Sequence, residues 1–232
     1  MSSQSPSYHG YRFPPQIISY TVRPYHRFSL SFRDVEDLLA ERGALVSYET
    51  IRQWCEKFGP AYAAITRRRQ GRLGDTWYID EVFVKIRGRR YYLWRAVDQD
   101  GDVIDVLVRP RRDQRAGKRF LRKLLKGQGS EPIRLVTDEL RSYNPAHQDI
   151  MPSVPHDTTR YANSRAEVSH QPTRQRERQM RRFKSPARAQ RFLSVHGVVQ
   201  NLFRLGRHLM RAINYRMLRA RAFRDWREAT CV

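Results

Sequence analysis

The sequence predicts an α/β protein in which a mixed sheet flanked by helices is preceded by a small all-α domain. Three observations predict it. Apolar residues up to about residue 60 recur at helical spacing between polar caps. Composition then changes sharply, and strand-like runs follow one another from Trp77 onward. From Ala187 to about Ala222 the pattern is helical again, and strongly basic.

In the first part, Pro14-Pro15 opens a helix, since proline is tolerated in a first turn. Ile17, Ile18 and Val22 form its apolar side, and Pro24 limits its length. Ser31-Phe32-Arg33-Asp34 reads as a capping box with Asp in place of the usual Glu. Phe32, Val35, Leu38 and Leu39 follow at helical spacing, and Gly43 ends the helix. Ser47 caps a further helix with Ile51, Trp54 and Cys55 on one side, expected to stop at Gly59-Pro60. Two short amphipathic helices joined by a glycine-containing turn, with a third before them, make a helix-turn-helix pattern. A plain helical hairpin with a solvated face would look the same. The exposed side of the last helix presents Tyr48, Glu49, Arg52, Gln53 and Lys57, and Arg and Gln suit guanine and adenine edges. Residues 1–60 are therefore assigned to an N-terminal DNA-binding domain. Residues 66–74 have no apolar period, and with Arg67, Arg68 and Arg69 the stretch 61–74 is expected to be a basic linker that tracks phosphates.

Residues 75–232 are expected to form the second domain. Trp77 to Ile86 is a strong strand turned at Arg87-Gly88, Tyr91 to Val97 a second strand closed by Asp98-Gln99-Asp100-Gly101, and Val103 to Val108 a third. Ala116 to Leu125 is an amphipathic helix ending at Gly127, and Ile133 to Thr137 an apolar strand that runs into Asp138. Three strands as a meander, then a helix, then a buried strand, describe the opening of an RNase H-like fold.

Charge narrows the partners. Lys and Arg number 45 against 23 acids, a net charge of +22, which destabilises a compact chain by self-repulsion unless a polyanion screens it. After Glu167 there are 16 Lys/Arg and three acids. No apolar run approaches the roughly 20 residues needed to span a bilayer. Nor does the N-terminus read as a signal peptide. A cytoplasmic protein associated with the nucleoid when bound to DNA is expected, with no membrane partner and no small-molecule substrate. Cys55 and Cys231 are far apart and in no zinc-binding spacing.

Asp80 stands mid-strand among apolar and aromatic residues, where Asp is depleted and a lone buried carboxylate is costly. Asp138 stands at the C-terminal end of a buried strand, where ligand-binding residues of open α/β sheets collect. Glu81 and Glu139 follow them, and strand alternation sends each neighbour to the opposite face. On the first and fourth strands of this order, Asp80 and Asp138 would lie side by side at one sheet end. Two such carboxylates repel unless cations neutralise them, and hard oxygen ligands suit magnesium.

The order helix-turn-helix, Asp-Glu-Val-Phe-Val, Tyr-Leu-Trp-Arg-Ala-Val-Asp, Thr-Asp-x-Leu-Arg-Ser-Tyr and Arg-Ala-Glu-x-Ser-His-Gln-Pro-Thr-Arg resembles the DDE transposases of the insertion-sequence-six family, from about Tyr8 to beyond Leu193. The resemblance implies an RNase H-like core whose acidic triad, here Asp80, Asp138 and Glu167, is both catalytic and metal-binding. It implies two Mg²⁺ ions, for which Mn²⁺ would substitute, with Asp80 as the bridging ligand. It implies DNA partners (terminal inverted repeats and a target), a homo-oligomer, and transposition by 3′-end cleavage and strand transfer. Glu139, Ser164 and Val168 depart from the family pattern and flank the triad. Glu177 is the competing acid for the third position, but its arginine neighbours favour an ion-paired surface role. His170, three residues after Glu167, is a candidate substrate contact. Arg174, Arg176, Arg178, Arg181, Arg182 and Lys184 form the expected DNA-holding surface. No serine or tyrosine has a setting that points to covalent recombination, although Tyr143 stays open as a nucleophile. Two other readings are a non-catalytic DNA-binding protein descended from a transposase, and a metal-dependent nuclease without strand transfer.

Overall fold

The computed structural model describes residues 6–71, 73–138, 143–159, 162–163, 183–205 and 210–231. The chain divides into two compact units, Arg72–Leu193 and Met1–Gly71 with Ser194–Val232.

The unit Arg72–Leu193 is built on a five-stranded sheet of order β3-β2-β1-β4-β5. Strands β1 (Thr76–Ile86), β2 (Arg89–Val97) and β3 (Val103–Arg109) form the expected antiparallel meander. Arg87 and Gly88 both have positive φ, 51° and 78°, as a two-residue hairpin turn matching strand twist requires. Helix α4 (Gln114–Gln128) follows, capped by the Asp113 side chain. It runs past Gly127 to Gly129, whose left-handed φ of 72° ends it. The crossover returns the chain to β4 (Arg134–Thr137), parallel to β1. After α5 (Tyr143–Ile150), β5 (His156–Asp157) pairs in parallel with β4. Three antiparallel strands followed by two parallel ones in this order make the core RNase H-like.

One face of the sheet buries Trp77, Ile79, Trp94 and Ala96 beneath Phe120, Leu121 and Leu124 of α4 and Tyr143 and Ala146 of α5. The edge strand β3 is shielded rather than left open. Gln190, on α6 (Pro186–Phe203), accepts from the Val108 amide at 2.8 Å and donates to the Val106 carbonyl at 3.0 Å. A side-chain amide thereby satisfies the backbone groups that a sixth strand would otherwise take.

In the helical unit, α1 (Pro15–Arg27) continues through Pro24 instead of ending there. Burial of Val22, Tyr25 and His26 offsets the amide bond that proline removes. The capping box at the start of α2 (Phe32–Ala40) forms with both bonds, 3.1 Å from the Asp34 amide to Ser31 Oγ and 2.7 Å from the Ser31 amide to Asp34 Oδ2. Ser47 caps α3, which also does not stop at Gly59-Pro60 but spans Tyr48–Gln70. The interior proline costs roughly 3 kcal/mol. Phe58, Tyr62, Ala63 and Thr66 are buried along the same helix, and each large apolar side chain returns roughly 1.5–3 kcal/mol. The expected linker is therefore helix to Gln70, and the expected boundary at residue 60 falls inside α3.

The C-terminal stretch is two helices, α6 and α7 (Ala212–Thr230), not one. Trp226 Nε1 donates to Ser19 Oγ at 2.9 Å, Ser19 Oγ donates to Thr230 Oγ1 at 2.9 Å, and Tyr8 donates to the Thr230 carbonyl at 2.6 Å. This buried chain of bonds ties α7 to α1, which is why Ser194–Val232 groups with the N-terminal helices and not with residues 75–193. Replacing Phe120, fully buried under the sheet, with alanine is expected to lower stability by about 3–5 kcal/mol, read by urea denaturation.

Candidate metal centre

Parallel pairing of β1 with β4 ends at Ile79 opposite Thr137, so Asp138 follows the end of β4 directly beside Asp80, which stands in the middle of β1. Their carboxylates come together as expected, with ligand atoms of Asp80, Glu81 and Asp138 all within 4.8 Å of one another. Glu81 is the correction. Alternation was expected to send it away from the site. Past Thr137, however, β1 no longer has β4 beside it, and at this open edge side chains from both faces can converge. Asp80 Oδ1 accepts the Glu81 backbone amide at 2.8 Å, which turns the Asp80 carboxylate along the strand.

Glu81 has the most perturbed surroundings of the three. Its side chain is 1% exposed. It accepts a hydrogen bond from the Tyr143 phenol and an ion pair from Arg112 Nε. Arg112 also reaches Asp138, Nη2 to Oδ2 at 3.9 Å. Burial raises the Glu81 carboxyl to about 7; the Tyr143 hydrogen bond works against that rise, the Asp138 charge adds to it, Arg112 opposes it, and Asp80 adds to it. Tyr143 is buried, and burial together with Glu81 raises its phenol well above the usual value. A phenol so enclosed and so hard to ionise is a poor nucleophile, which closes the covalent reading of Tyr143.

Behind Asp138, Thr137 Oγ1 lies 2.9 Å from His156 Nε2 and His147 stacks on His156 with ring centroids 4.7 Å apart. Burial, reinforced by His147, lowers His156 to about 4, so this backing is neutral at physiological pH. Asn163, 5% exposed, donates through Nδ2 to the Ile79 carbonyl at 2.8 Å, one residue before Asp80. Neither Glu81 nor Asn163 carried a sequence signal apart from adjacency to the acids; both act through tertiary placement.

The other expected residues fall in three groups. Glu167, His170, Arg174, Arg176, Glu177, Arg178, Arg181 and Arg182 lie outside the described residues, as do Glu139, Ser164 and Val168. On α3, Tyr48, Gln53 and Lys57 are exposed. Arg52 is engaged by two carboxylates, at 2.5 Å to Glu49 and 2.8 Å to Glu56. Lys57 Nζ sits 4.5 Å over the Tyr11 ring. Arg67, Arg68 and Arg69 occupy the last turn of α3 instead of a linker, and Arg69 pairs with Glu228 at 2.7 Å. Among the described residues no helix is long and apolar enough to cross a membrane.

The donor set, three carboxylates with one of them desolvated, fits a hard divalent cation. With the acid pKa of Glu81 raised from 4.5 to about 7, the stabilising contribution of its protonated form is complete below about 4.5 and is lost as pH rises to 7. Glu81→Gln, which mimics the protonated group, is expected to melt like the wild type in EDTA at low pH. Above pH 7 it should be more stable by up to roughly 3 kcal/mol. Thermal melts across that range check this, and an excess of magnesium should narrow the difference.

Comparison with known proteins shows the family. The family described as DDE domain matches residues 74–205. The transposase for insertion sequence-like element IS431mec of Staphylococcus aureus (strain Mu50 / ATCC 700699) is 30% identical over 164 residues, covering 68% of this chain and 73% of the relative. The transposase for insertion sequence element IS257 in transposon Tn4003, also of Staphylococcus aureus, has the same identity and coverage. Among solved structures, the HTLV-2 integrase catalytic core domain in complex with magnesium (dimeric form) matches at TM-score 0.43 and 16% identity, covering 59% of this chain and 90% of that one. A chain of the simian T-cell lymphotropic virus intasome in complex with PP2A regulatory subunit B56 gamma matches at TM-score 0.40 and 14% identity over 59% of this chain; the match spans 51% of that chain. With the family match running through both Asp80 and Asp138, this chain belongs to the DDE transposases of the insertion-sequence-six family.

Proposed function

We propose that this transposase cleaves the 3′ ends of an insertion sequence and transfers them to target DNA at a centre formed by Asp80, Asp138 and Glu167. The observation that carries the reading is the placement of Asp80, mid-way along β1, beside Asp138, at the end of the parallel neighbour β4, with their ligand atoms within 4.8 Å. Glu167 completes the ligand set by the family motif. It follows Asn163 by four residues, a span of at most about 14 Å, and Asn163 is bonded to the strand carrying Asp80.

Two magnesium ions bound there would neutralise charge on the attacking and leaving oxygens of an in-line displacement. The side chains around that centre have separate tasks. Asp80 would be the central ligand for the metal, with ligand atoms of Asp138 and Glu81 all within 4.8 Å. Glu81, held by Tyr143 and Arg112, is fixed beside the site, and its carboxyl, raised to about 7, gains or loses its proton near neutral pH. Arg112 spans Glu81 and Asp138 and restrains their mutual repulsion. The nucleophile is water for cleavage and the freed 3′ hydroxyl for transfer, so no side chain becomes attached to DNA.

Residues 1–60 are proposed to bind the terminal inverted repeats, with Tyr48, Gln53 and Lys57 toward DNA and Arg52 released from Glu49 and Glu56 on contact. Arg67, Arg68, Arg174, Arg178, Arg181 and Arg182 would hold phosphates, with His170 near the scissile group. A homo-oligomer that pairs two element ends is the expected working form.

The test is a joining assay with labelled terminal-repeat DNA, a target plasmid and magnesium. Wild type is expected to form joined product, Asp138→Asn to lose at least about 10³-fold of it, a typical loss for a group stabilising the transition state, and EDTA to abolish it. Manganese should restore it. Nicking without joining would instead identify a nuclease, and DNA binding with no metal-dependent product would identify a DNA-binding protein only.

A further inference from the structure

Three arginines of the helical unit gather on two phenylalanine rings. Phe203, at the end of α6, and Phe223, on α7, pack with centroids 5.2 Å apart. Arg23 on α1 lies over both, with Cζ 5.7 Å from the Phe203 centroid and 4.8 Å from that of Phe223. Arg27, one turn on, lies 4.5 Å over Phe203, and Arg219 lies 5.9 Å over Phe223. The Tyr20 ring adds a further face at 5.6 Å from Arg23.

Among the described residues, nothing anionic answers this charge. The acids of α7 are engaged elsewhere, Asp225 with Arg221 and Glu228 with Arg69. Burial lowers the guanidinium pKa of Arg23 and of Arg27, and the neighbouring arginines lower both further. The structure thus holds three like charges together, two of them, Arg23 and Arg27, partly stripped of water. Stacking on the rings explains how they are held but not why they are assembled. It uses the flat face of each guanidinium, while the five N–H donors lie in the plane and are suited to bidentate contact with a phosphate. Phosphodiester oxygens would supply both the missing negative charge and the missing acceptors.

We propose that Arg23, Arg27 and Arg219 form a phosphate clamp for the backbone of duplex DNA, on helices other than α3 and without regard to base sequence. The proposal rests on the reading of this protein as one that acts on DNA. A contact of this kind positions the duplex and carries no sequence information.

The experiment measures binding of the full chain by fluorescence anisotropy in EDTA, so that no chemical step enters. Two labelled duplexes are used, one carrying the terminal repeat and one of unrelated sequence, across a salt series. Each phosphate contact removed flattens the slope of log affinity against log salt by about 0.9, so Arg23→Gln, Arg27→Gln and Arg219→Gln combined are expected to flatten it by about 2–3. Affinity at physiological salt should fall roughly tenfold or more on both duplexes, since phosphate contacts weaken all sequences alike. Arg219→Gln alone changes an exposed side chain, cannot compromise folding, and is expected to flatten the slope by about one contact. The triple Arg→Lys variant should keep most of the slope. An unchanged slope in both the triple Gln variant and Arg219→Gln overturns the clamp, as does a loss confined to the terminal-repeat duplex. Because joining activity plays no part in the readout, failure of the Asp138→Asn assay and failure of this one are told apart.

Discussion

The parallel pairing of β1 with β4 is the constraint on which the catalytic unit depends. It puts the carboxylate of Asp138, at the end of β4, beside that of Asp80, mid-way along β1, where each raises the cost of the other's charge. Everything around them manages that cost. Arg112 bridges Glu81 and Asp138, Tyr143 donates to Glu81 from beneath, and His156 behind Thr137 is kept neutral by burial. The apolar layer of Trp77, Ile79, Trp94 and Phe120 fixes the strands rigidly enough that the acids cannot relax apart. Carboxylates held this close form a donor set of the kind that suits a hard divalent cation.

The helical unit is organised differently. Its hydrogen-bonded chain through Trp226, Ser19 and Thr230 joins the two ends of the sequence inside one core. Part of its positive charge is paired with acids, as at Arg52 and Arg69, and part is laid on aromatic faces, as at Arg23, Arg27 and Arg219. Both units carry a net positive charge, and the acids Asp80, Glu81 and Asp138 are clustered against that background. Both arrangements fit an enzyme whose substrate is a polyanion that must be cut.

Much of this was legible in the sequence because it is written in local pattern. The meander, the Asp-Gly and Arg-Gly turns, the Ser31 capping box and the strand-end position of Asp138 all follow from residues within a few positions of one another. What escaped was set by distant partners. Pro24 and Pro60 were read as stops because the local cost of proline is visible and the burial of Tyr25 or Tyr62 is not. The two-residue strand β5 is too short to carry a period. Glu81 was assigned away from the site because alternation is a rule about paired strands, and its pairing with β4 had already ended. The grouping of α7 with the first helices depends on Ser19 meeting Thr230, 211 residues on.

The continuity of α3 has a mechanical consequence. A tether between Lys57 and Arg67 would let the two basic regions settle on DNA at any spacing. A helix has no such slack: from Arg52 to Arg67 the rise is fixed at about 22 Å, or roughly six base-pair steps. If α3 lies on a duplex as proposed, that fixed span would gauge the duplex by length before any base is read.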